Sequence, residues 1–502
     1  MDGLPAEGQD PDEGAPGAEE TAGLNDLPAE WVAQVMHMLP IPQVFVCMSV
    51  SQTWHAAATY EIRTRESLVI GEEAGEWNPG ERKFPHVSEL DRVLVSAGDR
   101  IKRMKSLLLM QNLHQLHAHD VPDEYVPKLI DLVVINAETL KFLDTDMWLP
   151  LVSINGRRIM YRNLRYLSCP HFDSGAAAAC PRLSHLYVQS SKQFERPFDL
   201  HQIPIPKMPD FYMPLLTTIS ITGIQESLRG ILQEDIKKFI LIHAPILKSL
   251  RVLAQLPLDP DRLVTGYPSL KQLQCRRMDE KAAESCPVLE DLVAINVKSP
   301  HMIHRLPAEK MQRLEMYCRF YSKDQAKQVV EGISRMANLK ELVLVDKEWG
   351  YNRHTNVTSD HLSLLFDNLH KLRILKLSFI QNRRPDVVML TLTDHLLQKL
   401  MDNHPYLEQL AVRGVEITKP CLRVLIESRT LTSLKLGWGH GLTPDEIVSL
   451  LLGNLRHVLR YLMIQFLREG DCEQVREEVD RVNSERTGTL PTCSHKLWFE
   501  QE

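Results

Sequence analysis

From residue 104 onward an apolar-x-x-apolar-x-apolar pattern recurs. Its first residues are Met104, Leu140, Leu164, Leu183, Leu216, Leu247, Leu270, Leu289, Met311, Leu339, Leu372, Leu407, Leu431 and Leu459, at intervals of 19 to 36 residues. With 44% apolar residues, a three-position match arises by chance about once in twelve positions, so the spacing needs a second mark. Proline supplies it. Six of these anchors carry a proline two places earlier: Pro181, Pro214, Pro245, Pro268, Pro287 and Pro405. A proline there ends a helix and pushes its neighbour into extended backbone, just before a strand must begin.

Helix signals fill the intervals. Ser322-x-x-Gln325 precedes AKQVVEGISRM as a capping box, and Thr443-Pro444-x-Glu446 combines a cap, a first-turn proline and a capping glutamate before IVSLLLGNL. Strand, turn and helix in repetition resemble the leucine-rich-repeat plan, and LKELVLV, LRILKLSF and LTSLKLGW resemble its strand segment. The expected fold class is α/β, with parallel strands inside and helices outside, each unit stacking on the next.

A different pattern precedes the repeats. The stretch 27–60, LPAEWVAQVMHMLPIPQVFVCMSVSQTWHAAATY, opens on Leu27-Pro28, closes an apolar run at Leu39-Pro40, and places Val50-Ser51-x-x-Trp54 shortly after. Pro28 and Pro42 suit the first turns of two helices. Val32, Val35, Met36 and Leu39 recur at helical spacing, and Ser49-x-x-Gln52 has the capping-box form for a third helix. Three short helices in roughly 35 residues cannot bury all this apolar surface among themselves. Some of it must face a partner or the next domain.

Composition narrows the function classes. Residues 1–23 hold Asp2, Glu7, Asp10, Asp12, Glu13, Glu19 and Glu20 and no Lys or Arg, which accounts for the net charge of −7. This composition predicts a disordered acidic tail on a neutral body. A neutral body argues against bulk affinity for nucleic acid or anionic membrane. Nine cysteines without a C-x-x-C pair predict reduced thiols in the cytosol or nucleus. Neither a secretory signal nor a run long enough for a membrane span is expected.

Order and spacing in the 27–60 segment resemble an F-box, the module that docks substrate receptors onto a Skp-family adaptor. Gln52 and Thr53 stand where that family often carries a basic residue before the Trp. With the repeats, the chain resembles the F-box/leucine-rich-repeat proteins. The expected organisation is an acidic tail over 1–23, a three-helix F-box over 24–66 and a linker over 67–103. A solenoid over 104–470 and a charged helix and tail over 471–502 follow. The resemblance implies a non-catalytic substrate receptor of an SCF-type ubiquitin ligase, cytoplasmic or nuclear, with cullin and RING subunits reached through the adaptor. Leu27, Pro28, Val35, Leu39, Val44, Val50 and Trp54 would form the adaptor-facing surface. The alternative is an adaptor-bound scaffold that recruits no cullin and transfers no ubiquitin.

Target recognition is expected on the repeats. Alternation along the strands places Glu341, Val343 and Val345, then Ile374, Lys376 and Ser378, then Gln409, Ala411 and Arg413, on the open face with Ser433, Lys435 and Gly437. Turns after these strands carry Trp349, Tyr351, Arg353, His354, Arg383, Arg384, Trp438 and His440. Trp, Tyr and Arg dominate binding hot spots, and guanidinium groups pair with carboxylate or phosphate oxygens. The expected target segment is acidic or phosphorylated. The proline-rich stretch 197–214 is expected to be an inserted loop. No phosphate-binding loop, dinucleotide fingerprint, nucleophile elbow or zincin motif is present, so no catalytic residues and no cofactors are expected. His114, His117, His119 and Asp120 have spacings a metal could use, but such lone clusters are usually structural, and no metal is assigned.

Overall fold

The computed structural model describes residues 27–71, 92–94, 107–119, 121, 125–146, 153–154, 157–170, 172–189, 208–222, 234–258, 266–297, 299–318, 320–347, 356–380, 390–417 and 419–437, with 443, 446, 461–464, 477, 481 and 496–498. The chain divides into two compact units, Met1–Leu143 and Asp144–Glu502.

The first unit opens with three helices, α1 (Ala29–Met38), α2 (Ile41–Cys47) and α3 (Gln52–Thr64). Pro28 and Pro40 stand at the N-caps of α1 and α2. The α3 cap is Ser51, whose hydroxyl accepts the Trp54 N–H at 3.3 Å. The expected Ser49–Gln52 box does not form, because Ser49 instead donates to the Val46 carbonyl at 2.7 Å and finishes α2. Strands β1 (Ser67–Gly71), β2 (Arg92–Leu94) and β3 (Gln115–Ala118) follow, with β1 paired in parallel to both β2 and β3. Part of the stretch expected as a linker is therefore sheet: the apolar run Leu68-Val69-Ile70 is too short to betray a repeat. Helix α4 (Val126–Ile135) completes the unit, and β4 (Phe142–Thr145) spans its boundary.

A buried arginine at the end of α3 ties α1 to it. Arg65 and Glu61 are both buried, with Arg65 Nε 2.7 Å from Glu61 Oε1. The same guanidinium donates from one nitrogen to the carbonyls of Met36, His37 and Leu39 at 3.2, 3.2 and 2.8 Å. These carbonyls lie at the end of α1, where the helix itself supplies few donors; only Met36 also receives a backbone N–H, from Leu39 at 3.2 Å.

The second unit begins with the antiparallel pair β5 (Ser153–Ile154) and β6 (Arg157–Arg158). The repeats then run β7 (Tyr166–Cys169), α5 (Ser174–Ala179), β8 (His185–Gln189), β9 (Thr218–Thr222), α6 (Glu234–His243), β10 (Ser249–Gln255) and β11 (Gln272–Met278). Next come α7 (Glu280–Glu284), β12 (Asp291–Val297), α8 (Met302–Arg305), β13 (Arg313–Cys318), α9 (Lys323–Ser334), β14 (Glu341–Lys347) and α10 (Ser359–Asn368). The final repeats hold β15 (Ile374–Ile380), β16 (Leu390–Leu392), α11 (Asp394–Asn403), β17 (Gln409–Arg413), β18 (Val415–Ile417), α12 (Lys419–Glu427), β19 (Ser433–Leu436), β20 (Tyr461–Ile464) and β21 (Lys496–Trp498). From β7 each strand pairs in parallel with its successor, apart from β16 and β18, which form their own parallel pair. Leu497 and Trp498, expected only as a chain-end anchor, form the strand beside β20.

The anchors set this register. Leu183, Leu216, Leu247, Leu270, Leu289, Leu339, Leu372, Leu407 and Leu431 are fully buried, and a strand begins two residues after each. At the entries of β8 to β15, β17 and β19 one carbonyl of the preceding repeat accepts two successive N–H groups. Ser184 and His185 donate to Arg165, Lys271 and Gln272 to Lys248, and Glu408 and Gln409 to Arg373, all at 2.8 to 3.0 Å. The six prolines lie in the turns before these entries, and the residue preceding each is buried: Cys180, Met213, Ala244, Tyr267, Cys286 and His404. Burial pushes the thiols of Cys180 and Cys286 up to about 12, so they stay protonated and pack as small apolar groups.

Helix ends of the repeats reuse one polar device. His243 Nδ1 donates to the Phe239 carbonyl at 2.8 Å while Nε2 accepts the Met213 N–H at 2.9 Å. Asn136 makes the same two bonds in the first unit, to the Leu132 carbonyl and from the Leu113 N–H. His404 donates to the Leu400 carbonyl at 2.7 Å. Burial holds both histidines below the ordinary imidazole pKa. The unfolded chain thus takes up protons near pH 6.5 that the folded chain refuses. Their contribution to stability is complete above that pH and declines as pH falls toward the folded values. Thermal unfolding should give a lower Tm at pH 5.5 than at pH 7.5. His243→Asn, which can keep both bonds, should narrow that difference; an unchanged difference in both His243→Asn and His404→Asn would refute the assignment.

Candidate functional site

On the helical module, burial separates the side chains into two sets. Val32, Met36, Ile41, Val44, Trp54, Ala58 and Ile62 form its interior, where α1 and α2 pack against α3. Val44 is 1% exposed and Trp54 8%. These two residues, expected to face an adaptor, are enclosed by the module, since short helices need their largest apolar groups for a core of their own. Pro28 is exposed, Leu27, Val35 and Leu39 are half-buried, and Val50 is 48% exposed.

Four large apolar or amphipathic residues that the motif does not single out are also open to solvent. Trp31 is 64% exposed, Met38 66%, Val46 60% and Tyr60 65%. Trp31, Val35 and Met38 lie at i, i+4 and i+7, on one side of α1, while Val32 and Met36 turn inward. Helix α1 is therefore apolar on two faces. The single stripe expected from Val32, Val35, Met36 and Leu39 is the inner face and its margin; Trp31 and Met38 give the outer face. The signal was present in the sequence, as a Trp and a Met seven residues apart.

On the repeats, the open face of the parallel sheet carries a patterned charge. Arg313 on β13 is surrounded by acids of its own strand and of both neighbours, with Glu315 at 3.2 Å, Asp291 at 3.9 Å and Glu341 at 3.3 Å. Tyr317 donates to Glu315 at 2.7 Å. Beside this cluster Val343 and Val345, expected to be open, are buried. Their short side chains stand in register between longer neighbours, Glu315 and Tyr317 on one strand and Lys376 on the other. Farther along, Arg413 and Lys435 are exposed and Lys376 is half-buried. The turn residues Trp349, Tyr351, Arg353, His354, Arg383, Arg384, Trp438 and His440 lie outside the described residues, as do the acidic tail, 197–207 and Asp120.

The described end of the proline-rich stretch is packed. Met208 and Met213 are buried, and the Tyr212 ring stacks on His243 at 5.5 Å. His114 contacts Glu66 at 3.0 Å and His117 lies against the Phe142 ring at 4.6 Å. No described helix is long and apolar enough to cross a membrane.

Parallel strands in sequential register, anchored by buried leucines and joined through turns and helices, define the second unit as a leucine-rich-repeat-like α/β solenoid. No family model matches the sequence, and no curated protein matches it. Among solved structures the chain is similar to one titled as the Rad7 and Elc1 complex in yeast, at 12% identity over 88% of this chain and 91% of that chain, with a TM-score of 0.38. It is also similar to an internalin from Listeria monocytogenes, at 14% identity over 82% and 95% of the two chains, with a TM-score of 0.34.

Proposed function

We propose that this chain is the substrate-recognition subunit of an SCF-type ubiquitin ligase. In this reading the helical module docks onto a Skp-family adaptor, which brings the cullin and RING subunits. The repeat sheet holds the target. Catalysis is by proximity: a target lysine attacks the ubiquitin thioester at high effective concentration, and this chain lends no reacting group. The complex would work in the cytoplasm or nucleus.

The observation that carries the reading is the outer face of α1. A three-helix module that already has a core still presents Trp31, Met38, Val46 and Val50 to solvent. An exposed tryptophan, desolvated when a partner covers it, is the kind of residue that anchors an interface. Trp31→Ala should weaken adaptor capture at least tenfold, in line with an interface hot spot of about 2 kcal/mol or more. Because Trp31 is exposed, thermal unfolding should change little.

Affinity purification of the full chain with mass spectrometry is the direct test. Adaptor and cullin lost together from a Trp31→Ala/Val50→Ala variant support the receptor. Adaptor captured without any cullin would turn the assignment toward a scaffold. Equal capture by parent and variant would refute the docking face.

A further inference from the structure

We propose that the sheet around Ala411 is a binding site for a phosphorylated side chain of a target protein. The site deepens the receptor reading and rests on it. Register places Lys376 on β15 and Lys435 on β19 as the two direct neighbours of Ala411 on β17. Strands are spaced by about 4.8 Å, so two cations flank one methyl group. Arg413 stands two residues along from Ala411 and shares its face. The alternate residues Leu410, Val412, Leu434 and Leu436 are buried on the other side, which fixes the direction of this face. Ala411 is thus a shallow floor with three cations around it.

A second observation concerns the arginine itself. A Cβ placed on Gly437 would meet Arg413 Cγ at 2.7 Å and Cβ at 2.8 Å. Gly437 lies in the Lys435 strand's continuation, and its N–H donates to Val412 at 2.7 Å. The missing side chain leaves room for the Arg413 stem against the backbone, which restricts where the guanidinium can go. Gln409, Ser378 and Ser433 occupy the remaining positions around the floor and offer neutral donors.

Acids of the face form a separate cluster. Its acids Asp291, Glu315 and Glu341 gather on Arg313. Lys376 and Arg413 form no ion pair among the described residues. Three cations converging on one small residue suit a group with two negative charges and three acceptor oxygens better than a single carboxylate.

The test uses the full chain and a fluorescein-labelled degenerate peptide pool with one fixed phosphoserine, beside the same pool with serine. Anisotropy should show saturable binding of the phosphoserine pool, at least about tenfold tighter than the serine pool. Arg413→Glu and Ala411→Glu should each abolish that preference, while Lys238→Glu, an exposed change on α6, leaves it intact. Ala411→Glu occupies the floor without removing a cation. It therefore keeps the test decisive if Arg413→Glu disturbs folding, which circular dichroism would reveal. Equal binding of the two pools, binding of neither, or a preference that survives both variants would overturn the site. Adaptor capture is measured on the same preparations. Its retention after loss of the phosphate preference removes this site alone, whereas its absence from the parent removes the receptor reading.

Discussion

Replacing Arg65 with methionine should unfasten α1 from α3 and abolish adaptor capture. The change leaves the Glu61 carboxylate buried without its cation and strips donors from the carbonyls of Met36, His37 and Leu39. Breaking a buried pair by removing one partner costs about 3–5 kcal/mol, because the remaining charge stays desolvated. That exceeds what a module of this size is expected to hold in reserve. Hydrogen exchange on the full chain should show α1 and α3 amides losing protection while those of β10 to β15 keep theirs. Arg65→Met/Glu61→Leu removes both charges and should recover part of the loss. If exchange in α1 is unaltered by Arg65→Met, the clamp is not what holds the helix.

Gly414→Ala should be the most damaging single methyl addition in the repeats. Gly414 joins β17 to β18 with φ of +69°, and a Cβ there would overlap the Phe379 carbonyl oxygen of the neighbouring repeat. The left-handed backbone alone costs an L-residue about 1–2 kcal/mol. The overlap must also push β17 from β15, whose Phe379 side chain is buried. A total of at least about 3 kcal/mol is expected, seen as a large fall in the chemical denaturation midpoint. A midpoint within error of the parent would mean the two strands separate at little cost.

Much of the repeat architecture was legible because its determinants are local. A buried leucine, a proline two places earlier and a strand two places later follow one another within five residues, and each acts on its neighbours. Helix caps were partly legible for the same reason. Ser322 accepts the Gln325 N–H as expected, yet the Gln325 side chain accepts from Tyr321 and not from the cap residue. Thr358 and His361 form a reciprocal box, although histidine at that position is no part of the usual pattern.

What stayed hidden depends on how apolar residues are divided between inside and outside. Val44, Val50 and Trp54 are all apolar and close in sequence, but only Val50 is substantially exposed. Period alone cannot choose, since α1 bears apolar residues on both faces. The Arg313 cluster was equally out of reach. Its acids come from three strands, 22 to 28 residues from one another's repeats, and only the register unites Asp291, Glu315 and Glu341.

The doubly used carbonyl at the strand entries has a wider consequence. It fixes where a strand starts without reference to how many residues precede it, so the repeats count from a landmark and not by length. Anchor intervals of 19 residues, Leu164 to Leu183, and 35 residues, Leu372 to Leu407, can then coexist in one chain. New sequence can enter between the end of one strand and the next anchor without moving any strand downstream. The side where strands begin is a fixed ruler, and the side where they end is a margin on which recognition can be rewritten.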